Sequence, residues 1–192
     1  MVKVEVTERE NVYDGRFKLE RAVLRYEQYD GRMSKPVERL LFERGDSVAV
    51  LLYNRQRGTV VLVEQFRYPA YVREGENDGR LLEVVAGTID ARSSPDEVAR
   101  AELVEEAGYA LHELEHVCTF YPSPGACSER IYLYLGYLSD SARVGAGGGL
   151  TEHGEDIRVV ELPLAEAWRM VQEGMIRDAK TIIALQYVML HS

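Results

Sequence analysis

Apolar residues fall mostly into short runs, and the runs read as strands before they read as helices. Val2, Val4 and Val6 alternate with polar neighbours. A looser alternation returns over 17–26, and another follows Pro36 over 39–44. This pattern predicts three strands in a small antiparallel sheet, with Asp30-Gly31 as a hairpin turn. Three strands are marginal alone in water, so the sheet needs the main domain or a second subunit to pack on. Ser47–Tyr53 (SVAVLLY) is a nearly continuous apolar run, the mark of a strand buried on both faces. Asn54–Gly58 turns the chain into a returning strand, Thr59–Phe66. A polar loop over 73–80 leads to a short strand, 81–85, that delivers Ala86-Gly87.

Ser94-Pro95-Asp96-Glu97 predicts a helix start. It is a capping box with proline at the first helical position. Ala99, Leu103 and Ala107 give that helix a packing stripe, and Gly108 ends it. Further strands are predicted near 112–121, 129–138 and 157–162, and helices over about 163–173 and 180–191. The fold class is therefore α+β: a mixed sheet held between helices, with a small N-terminal antiparallel sheet. The division falls at 1–45 and 46–192.

The same helix carries Glu102, Glu105 and Glu106 at i, i+3 and i+4, hence on one face. No Lys or Arg lies three or four residues from any of them. Like charges at this spacing cost roughly 0.2–0.5 kcal/mol per pair, and the helix C-terminus adds its own negative field. A divalent cation would remove both penalties. The other reading is a solvated acidic face.

Composition narrows the classes. Of 192 residues 46% are hydrophobic and 29% charged, as in a soluble globular domain. A net charge of -9 argues against a nucleic-acid binder, though not against a phosphate substrate met through metal ions. Two mid-chain cysteines, Cys118 and Cys127, are too few for a disulfide framework and read as reduced thiols. The charged N-terminus has no signal-like apolar stretch, and no run reaches membrane-span length. These features point to a cytoplasmic protein and predict no membrane partner.

With Gly87, then Glu102-Leu-Val-Glu105-Glu106-Ala-Gly108-Tyr109 in register, the chain resembles a Nudix hydrolase. Ser93 stands where that family's box has its first glutamate, and Ala101 where it has an arginine. The resemblance covers nearly the whole chain and points to the ADP-ribose pyrophosphatase and GDP-mannose hydrolase branch. It rests also on Glu64-Gln-Phe-Arg67, Leu82–Gly87, Ser123-Pro-Gly125 with Glu129, Gly147–Gly149, Glu155-Asp-Ile157 and Lys180-Thr181.

The resemblance implies a Nudix fold and hydrolysis of a nucleoside diphosphate sugar to a nucleoside monophosphate and a sugar phosphate. It implies Mg²⁺ or Mn²⁺ held by Glu102, Glu106 and the Ala86 carbonyl, with Glu105 as a further or bridging ligand. It implies a general base on the loop after the glycines, Glu155 first and Glu152 second. The glycines would let that loop close over substrate. Arg44, Arg67 and Glu129 are the substrate-binding candidates, while Phe17 and Tyr68 read as core aromatics. The branch forms homodimers in which N-terminal strands reach over the partner's site. The two box departures favour an alternative, a Nudix-fold nucleotide-binding or regulatory module with weakened catalysis. An RNA-end processing enzyme is disfavoured by the acidic charge and the lack of a basic run.

Overall fold

The computed structural model describes residues 1–75, 78–139 and 142–191, and it divides into two compact units. Glu76 and Asn77, in the predicted 73–80 loop, lie outside the described residues.

The first unit is Met1–Asp46 together with Tyr121–Arg130. Its sheet has the order β1–β2–β3, all antiparallel: β1 (Val4–Asp14), β2 (Lys18–Tyr26) and β3 (Val37–Glu43). The Asp30-Gly31 turn forms, with Gly31 in the left-handed region and Asp30 Oδ1 accepting from Arg32 N. Tyr121–Arg130 adds to this unit through β3, where Phe42 N donates to Ala126 O at 2.7 Å. Arg130 then forks onto Asp46 at 2.6 and 3.2 Å. β1 leaves Val4, Val6, Val12 and Tyr13 in solvent.

The second unit is Ser47–Phe120 with Ile131–Ser192. Its sheet runs β10–β5–β4–β9–β8: β4 (Ser47–Asn54), β5 (Thr59–Phe66), β8 (Glu115–Phe120), β9 (Ile131–Tyr137) and β10 (Ile157–Pro163). β4 is buried along its whole length and runs parallel to β9, as its apolar run predicts. Its alternate side chains feed two cores. Ala49, Leu51 and Tyr53 pack towards the C-terminal helices α3 (Leu164–Gln172) and α4 (Ala179–His191). Val48, Val50 and Leu52 pack towards Ala99, Leu103 and Ala107. Helices thus cover both faces of a mixed sheet.

One detail of the sheet creates the site. β4 pairs with β5 over Leu52–Asn54. Nearer its start β4 instead pairs with β7 (Val85–Thr88), while β5 pairs with β6 (Arg80–Glu83). The predicted 81–85 strand is therefore two strands, wedged in where β4 and β5 part. A short helix, α1 (Tyr68–Arg73), precedes them and was not predicted. It exposes Tyr68, at 67% of its full surface, so Tyr68 is not a core aromatic.

The capping box opens α2 (Pro95–Glu102) as the sequence predicts, with Glu97 N on Ser94 Oγ and Ser94 N on Glu97 Oε2. The helix does not continue as α to Gly108. Leu103–Ala107 is a π-helical turn, ended by Gly108 in the left-handed region. Leu103 is fully buried while its neighbour Val104 is exposed. Leu103→Ala is expected to cost about 2–5 kcal/mol in a denaturant melt, and Val104→Ala about 0.5 kcal/mol or less. Equal losses would mean that this turn is not seated in the core.

Candidate active site

β7 places two small residues against the acidic end of α2. Ala86 N donates to Glu106 Oε2 at 3.1 Å. A Cβ on Gly87 would lie 1.9 Å from Glu102 Oε1, so the Glu102 carboxylate rests on bare backbone. No other residue type fits at 87 without displacing it.

The π-turn changes which acids face this point. Its wider closure breaks the single face expected for an α-helix, a recurrent feature of functional sites. Glu106 turns inward and is 4% exposed, Glu102 is half-buried, and Glu105 stands in solvent. Burial and the charges of Glu105 and Glu155 push the Glu102 carboxyl up to about 7. Burial pushes Glu106 up to about 8, with Glu102 and Glu155 adding to it and the Ala86 N–H and Arg67 opposing.

The loop after β9 completes the patch. Gly148 N donates to Glu106 O at 2.9 Å and Gly149 N to Glu105 O at 3.0 Å, which satisfies carbonyls at the helix end. A Cβ on Gly147 would meet Glu106 O at 2.4 Å. The glycines are thus docked on the acidic turn by close backbone approach, rather than serving as slack for loop closure. They aim Glu155 at the patch. Its Oε2 accepts from Leu150 N at 2.8 Å, and its charge acts on both Glu102 and Glu106. Glu152 is exposed on the short 3₁₀ turn Thr151–His153.

The donor set is all oxygen, which suits a hard divalent cation. Among the described residues, no three His, Cys, Asp or Glu side chains already stand at cage distances. One oxygen each of Glu106 and Glu155 is tied to a backbone N–H instead. Yet the charges acting on Glu102 are both negative, and two carboxyls are held above their ordinary range. An added cation is what would relieve them, so the residues fit one.

Comparison with known proteins identifies the family. The family model of the NUDIX domain matches residues 43–185. A GDP-mannose pyrophosphatase from Pectobacterium atrosepticum is 39% identical over 187 residues, covering 97% of this chain and 94% of the relative. One from Citrobacter koseri is 43% identical over 155 residues, covering 81% and 78%. The chain belongs to the NUDIX family. Its fold is shared with a crystal structure of an ADP compounds hydrolase, at a TM-score of 0.72 and 22% identity, over 97% of this chain and 92% of that one.

Within the Nudix box, the two departures have local explanations. Ser93 Oγ donates to Asp90 Oδ2 at 2.9 Å in the loop before α2. Ala101 is exposed. Arg100, one residue off, is engaged elsewhere, with Asp96 at 2.7 Å and His112 O at 2.7 Å. The cation whose charge reaches Glu106 is Arg67, at the end of β5.

The other predicted residues divide between the two units. Arg67 forks onto Glu83, through Nε at 2.8 Å and Nη2 at 3.0 Å. Arg44 and Glu129 belong to the first unit and meet each other at 3.5 Å, with the Arg44 guanidinium 5.5 Å from the Phe17 ring centre. Both cysteines are free thiols. Glu83, only 2% exposed, was missed as a site residue. Its signal was a lone acid inside an apolar strand, Leu82-Glu83-Val84-Val85, where burial demands a partner.

The raised carboxyls have a consequence for stability. The folded chain holds protons on Glu102 and Glu106 that the unfolded chain releases near pH 4.5. Their stabilising effect is complete below that pH and is lost as pH rises through about 7 and about 8. In chelator, the melting temperature should fall between about pH 5 and about pH 8, and Glu102→Gln should flatten the fall. A profile unchanged by that substitution would contradict the burial of these charges.

Proposed function

We propose that this chain hydrolyses the pyrophosphate bond of a nucleoside diphosphate sugar of the GDP-mannose class. The products are a nucleoside monophosphate and a sugar phosphate. The observation that carries the proposal is the meeting of Glu102 and Glu106 with the Ala86-Gly87 backbone, with the charge of Glu155 acting on both carboxyls. The relatives at 39% and 43% identity favour GDP-mannose over ADP-ribose. We assign Mg²⁺, or Mn²⁺ in its place, to Glu102, Glu106 and the Ala86 carbonyl, with Glu105 as a further ligand. When bound, the ion neutralises the pyrophosphate oxygens and acts as a Lewis acid towards the attacking water.

The chain's own residues divide the remaining work. Glu155 is the general base: Leu150 N holds one of its oxygens, and the other takes the proton of the attacking water. The water oxygen bonds to one phosphorus, and the bridging oxygen leaves with the other. Glu152 is the alternative base. Arg67 grips phosphate oxygens. Arg44 and Glu129, paired in the first unit, serve substrate binding as well. The exposed Val4, Val6, Val12 and Tyr13 of β1 support a homodimer formed through the N-terminal sheet. Among the described residues no helix is long and apolar enough to cross a membrane, and we assign a cytoplasmic location. A second reading, a nucleotide-binding or regulatory module, is favoured by Ser93 and Ala101 in the box.

The test is an assay of released monophosphate with Mg²⁺ and GDP-mannose, ADP-ribose, UDP-glucose or a dinucleoside polyphosphate. GDP-mannose should turn over. Glu155→Gln should lower kcat by about 10²–10⁴-fold, while Glu152→Gln stays within about threefold. Turnover of none of the four would leave the module reading standing.

A further inference from the structure

Glu83 is a buried charge that the hydrolytic scheme leaves without a task. It closes β6 three residues before Ala86 and is 2% exposed. Burial of a carboxylate is costly unless cations and hydrogen bonds surround it. Two cations do. Arg67 forks onto both Glu83 oxygens, and Lys180 Nζ reaches Glu83 Oε2 at 3.2 Å. Lys180 is fixed from its other side by Asp178, at 2.6 Å. Asp178 is itself tied down, because it caps α4 by accepting from Thr181 N and Thr181 Oγ1. The group is neutral overall, with two acids and two bases.

The fork uses Nε and Nη2 of Arg67. Among the described residues, Nη1 makes no hydrogen bond. The Arg67 side chain is 39% exposed, and its charge is felt by Glu106. The guanidinium is therefore gripped along its Nε and Nη2 edge by a buried carboxylate, while Nη1 is unbonded among the described residues and the charge of the group acts on Glu106. A planar guanidinium gripped in this way loses little further freedom when an anion arrives.

We infer that Glu83 is a positioning residue. It orients Arg67 so that the free Nη1 edge meets a phosphate oxygen of the substrate. This rests on the pyrophosphate-hydrolase reading above. Glu83 does not touch substrate; it acts through Arg67. A purely structural Glu83 would only staple β6 to α4. That staple is already present without it, since Val84 N donates to Thr181 Oγ1 at 2.8 Å.

The decisive experiment is a double-mutant cycle on GDP-mannose hydrolysis at saturating Mg²⁺, with Glu83→Gln, Arg67→Ala and the pair. Glu83→Gln should raise KM about tenfold and leave kcat within about threefold, and in the Arg67→Ala background it should change KM less than about twofold. An equal effect in both backgrounds, or none in either, would overturn the inference. Arg67→Lys keeps the charge but lacks the fork, so it too should raise KM, measured at a temperature where a thermal melt shows the variant folded. It covers the case in which Glu83→Gln does not fold, and wild-type KM in Arg67→Lys would refute the inference. The Arg67 Nε–H signal in nitrogen-15 NMR should exchange slowly with solvent in the wild type. Exchange at the rate of a free arginine would also refute it. If the wild type fails to hydrolyse GDP-mannose, the substrate reading falls, while this signal still decides whether Glu83 holds Arg67.

Discussion

Two carboxylates that repel each other, on the last turns of one helix and partly out of water, set the terms for the second unit. Glu102 and Glu106 are held at about 7 and about 8 by burial first and by neighbouring acids second. A surface helix would simply turn such side chains outward. Here the surrounding backbone prevents it. Gly87 gives Glu102 a bare surface to lie on, Ala86 N ties Glu106 inward, and the glycine loop closes the helix end. The parting of β4 and β5, filled by β6 and β7, brings that backbone to the spot. The energetic cost is local, and the opportunity it creates is for a cation.

Opposing charge comes from outside the helix. The box arginine is replaced by Ala101, and Arg100 is occupied by Asp96 and the His112 carbonyl. Arg67 approaches instead from the sheet, anchored by Glu83, which Lys180 also bonds, with Asp178 holding Lys180. Its charge reaches Glu106, while the charges acting on Glu102 are negative. The two metal-ligand candidates therefore stand in unlike surroundings.

Much of this was legible in the sequence because it depends on local rules. SVAVLLY is apolar on both alternations, so β4 had to be buried on both faces. The Ser94–Glu97 box fixed the start of α2, and the spacing of Gly87, Glu102, Glu106 and Gly108 marked the family. What was not legible depends on contacts distant in sequence. The π-turn at Leu103–Ala107 goes with the docking of Gly147–Gly149 some forty residues later, and helix propensity contains no trace of that. The same docking explains glycines that composition alone reads as slack. The split of 81–85 into two strands follows from the divergence of β4 and β5. α1 was missed because Tyr68–Arg73 is too short to show a period.

The central claim is that the chain's own oxygens at Ala86, Glu102 and Glu106 form a divalent-cation site. Calorimetric titration of Mn²⁺ into the chelator-treated protein at pH 8 tests it most directly. The account predicts a millimolar-or-tighter site in the wild type that is lost in both Glu102→Ala and Glu106→Ala, with each variant still folded by thermal melt. Undiminished binding in those variants, or no binding to the wild type, would contradict it.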